Sequence, residues 1–185
     1  MKEQTKRILS LILALMCCLG LLSTVAGAAE NAIPATGTAY AAFQSVEVDG
    51  GRVMFRCYAL KDEAGNNTNY IRLRDLAFAL RGTAVQFAVD WNGSVSIATR
   101  TAYTPDGSEL SMPFTGDRTY KSSGAATRID GQAAPLSAFV LTDSNGGGYT
   151  YYRLRDLGQA LGFNVGWAAE RGMFLESDKP YSDAD

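Results

Sequence analysis

The chain has 185 residues and a net charge of −2, from 17 basic and 19 acidic side chains. A DNA- or RNA-binding domain normally gathers a basic excess on one face, so we expect no nucleic-acid partner. The sequence also contains no histidine. This excludes Ser-His-Asp and Cys-His catalysis, zinc or copper sites with histidine ligands, and an imidazole general base.

Residues 1–28 have the order of segments that is typical of a signal peptide. Basic residues near the start are followed by the apolar run 8–22 and then by Ala26-Gly27-Ala28, which supplies small residues for cleavage. The apolar run is short for a transmembrane span. We expect cleavage near Ala28 and a secreted or cell-surface location, with membrane contact only if the segment stays uncleaved as an anchor.

Cleavage at that point would leave Cys57 as the only cysteine. An intramolecular disulfide is then impossible, so the mature protein must be held by its core alone. We interpret Cys57, which lies in a strand-like segment, as a small buried apolar residue.

The rest of the chain contains an internal repeat at a shift of 81 residues, which places Asp49-Gly50 on Asp130-Gly131. The same shift places the motif R-L-R-D-L at 72–76 on the same motif at 153–157, and each copy is followed by F-x-V-x-W. The expected division is a signal peptide (1–28), an N-terminal linker (29–45), a first repeat (46–99), a connector (100–126), a second repeat (127–177) and a C-terminal tail (178–185).

Each repeat is expected to begin with a hairpin, because Asp-Gly suits a two-residue turn between short strands. In the first repeat the return strand covers about 52–60, and Asn66-Asn67 marks a turn before a brief strand and a helix. After the helix, Asn92-Gly93 turns a second hairpin.

The helix is predicted from one apolar stripe at positions i, i+3, i+4 and i+7. Asp75 and Asp156 fall in the first turn of the two helices, where a carboxylate suits the positive end of the helix dipole. Gly82 and Gly162 follow the last leucine, where glycine makes a left-handed cap at the lowest cost. The stripe consists of Leu73, Leu76, Ala77 and Leu80 in the first copy and of Leu154, Leu157, Gly158 and Leu161 in the second.

These elements predict an α+β fold of two tandem repeats, each a small antiparallel β-sheet packed against one α-helix. A unit of about 50 residues buries only about 60% of its unfolded surface and is marginal alone. We therefore expect the two copies to pack on each other or to share strands.

The pattern Y-x-x-L-R-D-L-x-x-A-L followed by F-x-V-x-W occurs twice, from Tyr70 to Trp91 and from Tyr151 to Trp167. It resembles the copper amine oxidase N-terminal-like domain, or stalk domain, of secreted and cell-surface proteins of Gram-positive bacteria. The resemblance implies an exported module of sheet and helix without catalytic residues. In the oxidases copper belongs to another domain, and a copper site of that kind needs the histidine that is missing here.

Arg74-Asp75 and Arg155-Asp156 stand at the same positions of the two copies. One interpretation is a site for an anion or a carboxylate. The interpretation that we favour is structural. Each arginine would lay its stem over the sheet and pair locally, and each aspartate would stabilise the start of its helix.

Aromatic side chains offer two candidate binding surfaces. Trp91 and Trp167 suit stacking on a sugar, but they share the phase of the apolar residues on their strands, so we predict that they pack in the core. Tyr149, Tyr151 and Tyr152, beside a glycine-rich turn, are the better candidates for an exposed patch. The residues repeated by the motif are expected to be structural: Tyr70, Leu73, Arg74, Asp75, Leu76, Leu80 and Trp91, with Leu154, Arg155, Asp156, Leu157, Leu161 and Trp167.

No pair of carboxylates has the spacing that would mark the acid and base of a glycosidase. The segment 143–146 lacks the alternating oxygen ligands of a calcium loop, so we predict a turn there. We expect no enzyme activity, catalytic residue, metal or cofactor.

The favoured function is an exported, non-catalytic structural or binding module at the cell envelope, in contact with cell-wall glycan or an envelope protein. The alternative is an accessory or regulatory protein of a cell-wall hydrolase, or a hydrolase itself. Because the repeated residues suit the needs of a fold, a binding site is expected where the copies differ: the connector, the tyrosine-rich turn and the terminal hairpins.

Overall fold

The computed structural model describes residues 33–183, so the predicted signal peptide lies outside the described residues. Strands dominate this part of the chain, with 48% of residues in strands and 10% in helices. The elements are β1 (Thr36–Val48), β2 (Gly51–Lys61), β3 (Asn67–Arg72), α1 (Leu73–Ala79), β4 (Phe87–Trp91), β5 (Val95–Thr99), β6 (Arg118–Ser122), β7 (Thr127–Ile129), β8 (Gln132–Ala134), β9 (Ala138–Thr142), β10 (Gly148–Arg153), α2 (Leu154–Leu161), β11 (Asn164–Ala168) and β12 (Gly172–Glu176).

Six antiparallel strands close into a ring in the order β1-β2-β3-β10-β9-β6, because β6 also pairs with β1. The two pairings that join the repeats are β1 with β6 and β3 with β10. Thr38 is paired with Thr119 in the first, and Ile71 with Tyr152 in the second. In both pairs a residue meets its own counterpart 81 positions along the chain. The two halves of the ring are therefore related by an approximate two-fold axis.

The inside of this ring is filled mainly by aromatic side chains, which we call the ring core. Side chains alternate between the two faces of a strand, so every second residue of each ring strand points inward. Phe139 is fully buried and stacks on Tyr151 at a centroid distance of 5.2 Å. Space for Tyr120 comes from Gly37, where a Cβ atom would lie 2.8 Å from the tyrosine ring. The ring core consists of Ala39, Tyr58, Leu60, Tyr70, Phe114, Tyr120, Phe139, Leu141 and Tyr151.

The repeats exchange their last hairpins. Strand β12 of the second repeat adds to β1 of the first in parallel, and β5 of the first repeat adds to β7 of the second. As a result β4-β5-β7-β8 form a separate four-stranded sheet, whereas β11 and β12 extend the sheet that contains the ring.

Two equivalent aspartates fasten these exchanged hairpins. Asp49 accepts hydrogen bonds from Ser177 N (2.8 Å) and Ser177 Oγ (2.7 Å). Asp130 accepts them from Thr99 N (2.9 Å) and Thr99 Oγ1 (2.6 Å). In each case an aspartate in the first turn of one repeat holds the end of the last strand of the other repeat.

The two short helices lie on the outer side of the ring and share one core, which we call the helix-side core. The predicted stripe of α1 is confirmed, since Leu73, Leu76 and Ala77 are buried with Leu80 just beyond the helix. The corresponding leucines of α2 join the same core, together with Ile71, Tyr152 and apolar residues of all four hairpin strands. Both repeats therefore depend on one continuous apolar interior.

The predicted α+β class is wrong. The local elements were expected to pair within their own repeat, but the closing hairpins pair with the other repeat and the ring takes strands from both. Helices of seven and eight residues are too short to cover a sheet for each repeat. The result is a mostly β structure of two sheets, with eight and four strands. Of the two arrangements expected for the copies, the structure has the shared strands.

Several local predictions are confirmed. Asp49-Gly50 and Asp130-Gly131 form tight turns, and all four residues have φ between 47° and 82°, as a type I′ hairpin requires. Gly162 caps α2 in the left-handed conformation, and Cys57 is buried.

Two strands lie where the sequence predicted a linker and a connector. Strand β1 begins at Thr36, within the expected linker 29–45, and β6 lies within the expected connector 100–126.

Neither of the two described helices is long and apolar enough to cross a membrane.

Candidate functional site

A cleft of about 410 Å³ opens beside the start of α1. One wall is the tip of the β4–β5 hairpin, with Trp91. Another wall is the start of β10, with Tyr149, and the connector supplies Asp106 and Ser108. We call it the Trp91–Tyr149 cleft. Its volume lies within the range of about 300–1,000 Å³ that is usual for small-ligand sites.

The two aromatic walls are held differently. Trp91 is the last residue of β4 and 60% of it is exposed. Tyr149 is half-buried, since the edge of Phe114 packs against its ring at 5.2 Å. The Arg72 guanidinium lies 5.8 Å from the centre of the Tyr149 ring, within reach of a cation–π contact. Trp91 therefore presents a largely exposed ring, whereas the ring of Tyr149 is held in place by its neighbours.

The cleft contains Arg72, whose buried ion pair with Asp75 joins strand β3 to helix α1. Arg72 Nε donates to Asp75 Oδ1 (2.8 Å), and Arg72 Nη2 donates to the same oxygen and to Ser108 O (2.6 Å). Leu110 N also donates to Asp75 Oδ1, at 3.0 Å. The connector is thereby fastened across the ion pair and buries it.

Asp75 has one oxygen without a partner in the described part of the chain. Oδ2 is buried and accepts no hydrogen bond there, although buried carboxylate oxygens are nearly always paired. Loss of hydration raises the pKa of Asp75, and the neighbouring Arg72 opposes that rise. This carboxyl does not line the cleft and, at 1% exposure, offers no surface to a ligand.

Arg74 lines the cleft beside the connector and is 42% exposed. Its Nη1 lies 3.6 Å from Asp106 Oδ2 and 3.5 Å from the Tyr103 hydroxyl. Both contacts are at the long limit of their kind. The favoured interpretation of the motif was local pairing of each arginine beside its helix, and the arginine that holds Asp75 is Arg72 instead.

Arg72 and its counterpart Arg153 were missed in the sequence. Each stands three residues before an aspartate, and Arg153 pairs with Asp156 as Arg72 pairs with Asp75. The spacing R-x-x-D in both copies was the available signal. The adjacent Arg-Asp pair of the same motif is the more conspicuous pattern, but it is not the pair that forms the buried ion pair.

The prediction that Trp91 and Trp167 pack in the core is wrong, since they are 60% and 61% exposed. They have the inward phase of their strands and stand opposite Val95 and Met173, which contact the helix-side core, but the structure leaves most of each indole uncovered. Among the tyrosines proposed for binding, Tyr149 lines the cleft. Tyr151 and Tyr152 are 1% and 0% exposed, and their burial removes them from any binding surface.

The three segments in which the copies differ meet at this cleft: connector, tyrosine-rich turn and a terminal hairpin. At the positions related by the two-fold axis, Trp167 and Gly166 of the second repeat replace Trp91 and Asp90, and Thr68 of the first repeat replaces Tyr149. The second tryptophan thus has no aromatic residue in the place of Tyr149. The two-fold related sides of the molecule therefore differ in the chemistry that they present.

The predicted turn at 143–146 is confirmed. Asp143 Oδ1 accepts hydrogen bonds from Asn145 N and Gly147 N, both at 2.8 Å, so the carboxylate organises its own loop. Within residues 33–183 no group of three histidine, cysteine, aspartate or glutamate residues is placed to hold a metal ion.

Comparisons with models of protein families, with curated proteins and with solved structures found no match.

Proposed function

We propose that the protein is an exported, non-catalytic module of the cell envelope that binds cell-wall glycan in the Trp91–Tyr149 cleft. The observation that carries the proposal is a cleft lined by two aromatic side chains together with charged groups. The C–H face of a sugar ring stacks on an aromatic side chain, and its hydroxyl groups bond to charged and polar side chains. Asp90, Asp106 and Ser108 supply such groups in the cleft.

The size of the cleft favours a glycan segment over a folded protein partner. A stable protein interface covers about 800 Å² on each partner and is commonly flat or gently curved. A cleft of about 410 Å³ instead suits a small ligand or a short part of a chain. The export pattern at 1–28 and the resemblance to stalk domains support a location outside the cell, where such a glycan is found.

The matched pair of tryptophans makes a sharp test. Trp91 and Trp167 have nearly the same exposure and corresponding positions, but only Trp91 lines the cleft. The mature protein is incubated with purified cell-wall glycan, and bound protein is measured by sedimentation for the wild type, Trp91→Ala and Trp167→Ala. We expect Trp91→Ala to weaken binding at least tenfold, as for an aromatic residue central to an interface, and Trp167→Ala to bind as the wild type does.

Three results would overturn the proposal. Equal loss with both substitutions, or no binding by the wild type, would remove the cleft as a glycan site. Release of soluble wall fragments by the wild-type protein, but not by a mock preparation, would show hydrolysis. The protein would then be an enzyme and not a binding module.

A further inference from the structure

We propose that the Trp91–Tyr149 cleft selects an acidic saccharide, whose carboxylate is bound by Arg74 with Arg72 behind it. This inference rests on the proposed glycan-binding function and adds the class of sugar. The ring of the sugar would stack on Trp91, while its carboxylate would face the two arginines at the start of α1.

Arg74 has the capacity to bind a carboxylate. A guanidinium carries five N–H donors in a planar fork, and Arg74 spends them on two contacts of 3.5 and 3.6 Å. The neighbours in those contacts are satisfied elsewhere. The Tyr103 hydroxyl donates to Glu109 Oε1 at 2.7 Å, and Asp106 Oδ1 accepts from Ser108 N at 2.9 Å. Arg74 can therefore turn to a ligand without leaving either neighbour unpaired.

Competition from Asp106 is weak enough for a ligand to overcome. An exposed ion pair at 3.6 Å contributes little in water. A carboxylate that accepts two parallel hydrogen bonds at about 2.7–2.9 Å from arginine is held more strongly and in one orientation. The bidentate contact with the ligand is therefore expected to replace the loose contact with Asp106.

Arg72 adds a second donor. Its Nε and Nη2 bond to Asp75 and to Ser108 O, whereas Nη1 makes no hydrogen bond within residues 33–183. The side chain is only 3% exposed but lines the cleft. Because Nη1 is not among the buried atoms that lack a partner, it reaches solvent at the cleft and is able to donate to an acceptor atom of a ligand there.

The counterpart in the second repeat shows what is special about Arg72. Arg153 Nε and Nη2 donate to the two separate oxygens of Asp156, each at 2.8 Å. Arg72 instead directs both donors to one oxygen of Asp75, because Ser108 and Leu110 of the connector share the pair. The connector thus prevents the closed, two-pronged pairing that the second repeat has.

The acidic residues of the cleft are already engaged. Asp90 Oδ1 accepts from Trp91 N at 2.7 Å, and Asp106 Oδ1 is bound in its own turn. Their outer oxygens remain suited to sugar hydroxyl groups, which donate to carboxylates. Since these charges and Arg74 are partly exposed, we expect salt to weaken the preference for an acidic sugar.

The test compares two oligosaccharides of equal length, one of N-acetylglucosamine alone and one in which alternate sugars carry a lactyl carboxylate. Both are titrated into the mature protein with Trp167→Phe, so that the remaining fluorescence change reports Trp91. We expect the acidic oligosaccharide to bind about tenfold more tightly. Arg74→Gln is expected to abolish this difference while the affinity for the neutral oligosaccharide changes by less than about twofold. The control Arg155→Gln, at the corresponding position of the second repeat, should leave both affinities as they were.

The outcomes separate the two proposals. Equal binding of both oligosaccharides, or an equal loss of both with Arg74→Gln, would overturn the acidic preference and leave glycan binding in place. If neither oligosaccharide binds, both the preference and the proposed function are wrong.

Discussion

Replacing Phe139 with alanine tests whether the ring of six strands is closed around a packed interior. Phe139 is fully buried, with Tyr70, Tyr120 and Tyr151 at centroid distances of 5.2, 5.1 and 5.2 Å. Deleting a buried phenylalanine side chain costs about 3–5 kcal/mol, and lost ring contacts place this site at the upper end. Since a domain is stable by only about 5–15 kcal/mol, the change removes a large part of the total.

Urea unfolding followed by circular dichroism measures the effect, with thermal unfolding as a second readout. We expect Phe139→Ala to lower the free energy of unfolding by about 4–5 kcal/mol and the melting temperature by about 10–15 °C. The control is Phe43→Ala, because Phe43 is 60% exposed and its loss should change stability by less than about 0.5 kcal/mol. Equal effects of the two substitutions would mean that the ring interior is not packed as described.

Two further predictions concern the hairpin formed by β11 and β12. Gly166→Ala should destabilise the protein by about 1–3 kcal/mol, because a Cβ atom at Gly166 would overlap with the Phe174 ring. The control Gly124→Ala should be nearly neutral, because the space around Gly124 is open. Equal urea midpoints of the two variants would refute the close contact. Hydrogen bonding to Lys179 and other partners lowers the pKa of Glu176 to about 2, from 4.5. Glu176→Gln should therefore lower the free energy of unfolding above pH 4.5, and this loss should vanish as the pH falls through 2. A loss of the same size at the acid end would contradict the lowered pKa.

Local structure could be predicted from the sequence because its causes are local. The Asp-Gly turns need residues that tolerate positive φ, and the leucine stripe of α1 needs only the period of a helix. Strand partners have no such local cause. Nothing around Asp49 in the sequence indicates Ser177, although the two side chains are bonded. The wrong fold class follows from this gap, since the same strands pair across the repeats.

The candidate site shows the same limit. The phase of β4 correctly placed Trp91 on the side of Phe87, but phase does not tell which side chains on that face are covered by other elements. Trp91 is 60% exposed although its cross-strand partner Val95 is buried, whereas Phe87 is fully buried. Tyr149 and the connector meet Trp91 only because the hairpins and the ring are assembled as they are. The sequence singles out Trp91, Tyr149 and Arg74 but not Arg72, and only the structure shows that these residues line one cleft.

The pairing of Thr38 with Thr119 and of Ile71 with Tyr152 has a consequence for the origin of the molecule. Contacts in which a residue meets its own equivalent are the mark of a symmetric dimer. A chain with one repeat would leave the edges of β1 and β3 unpaired, and an identical chain is the partner that fits both. Joining two such genes end to end keeps every one of these contacts and raises the effective concentration of the halves. It also frees each half to change alone, and the residues around Trp91 and Trp167 do differ between the halves.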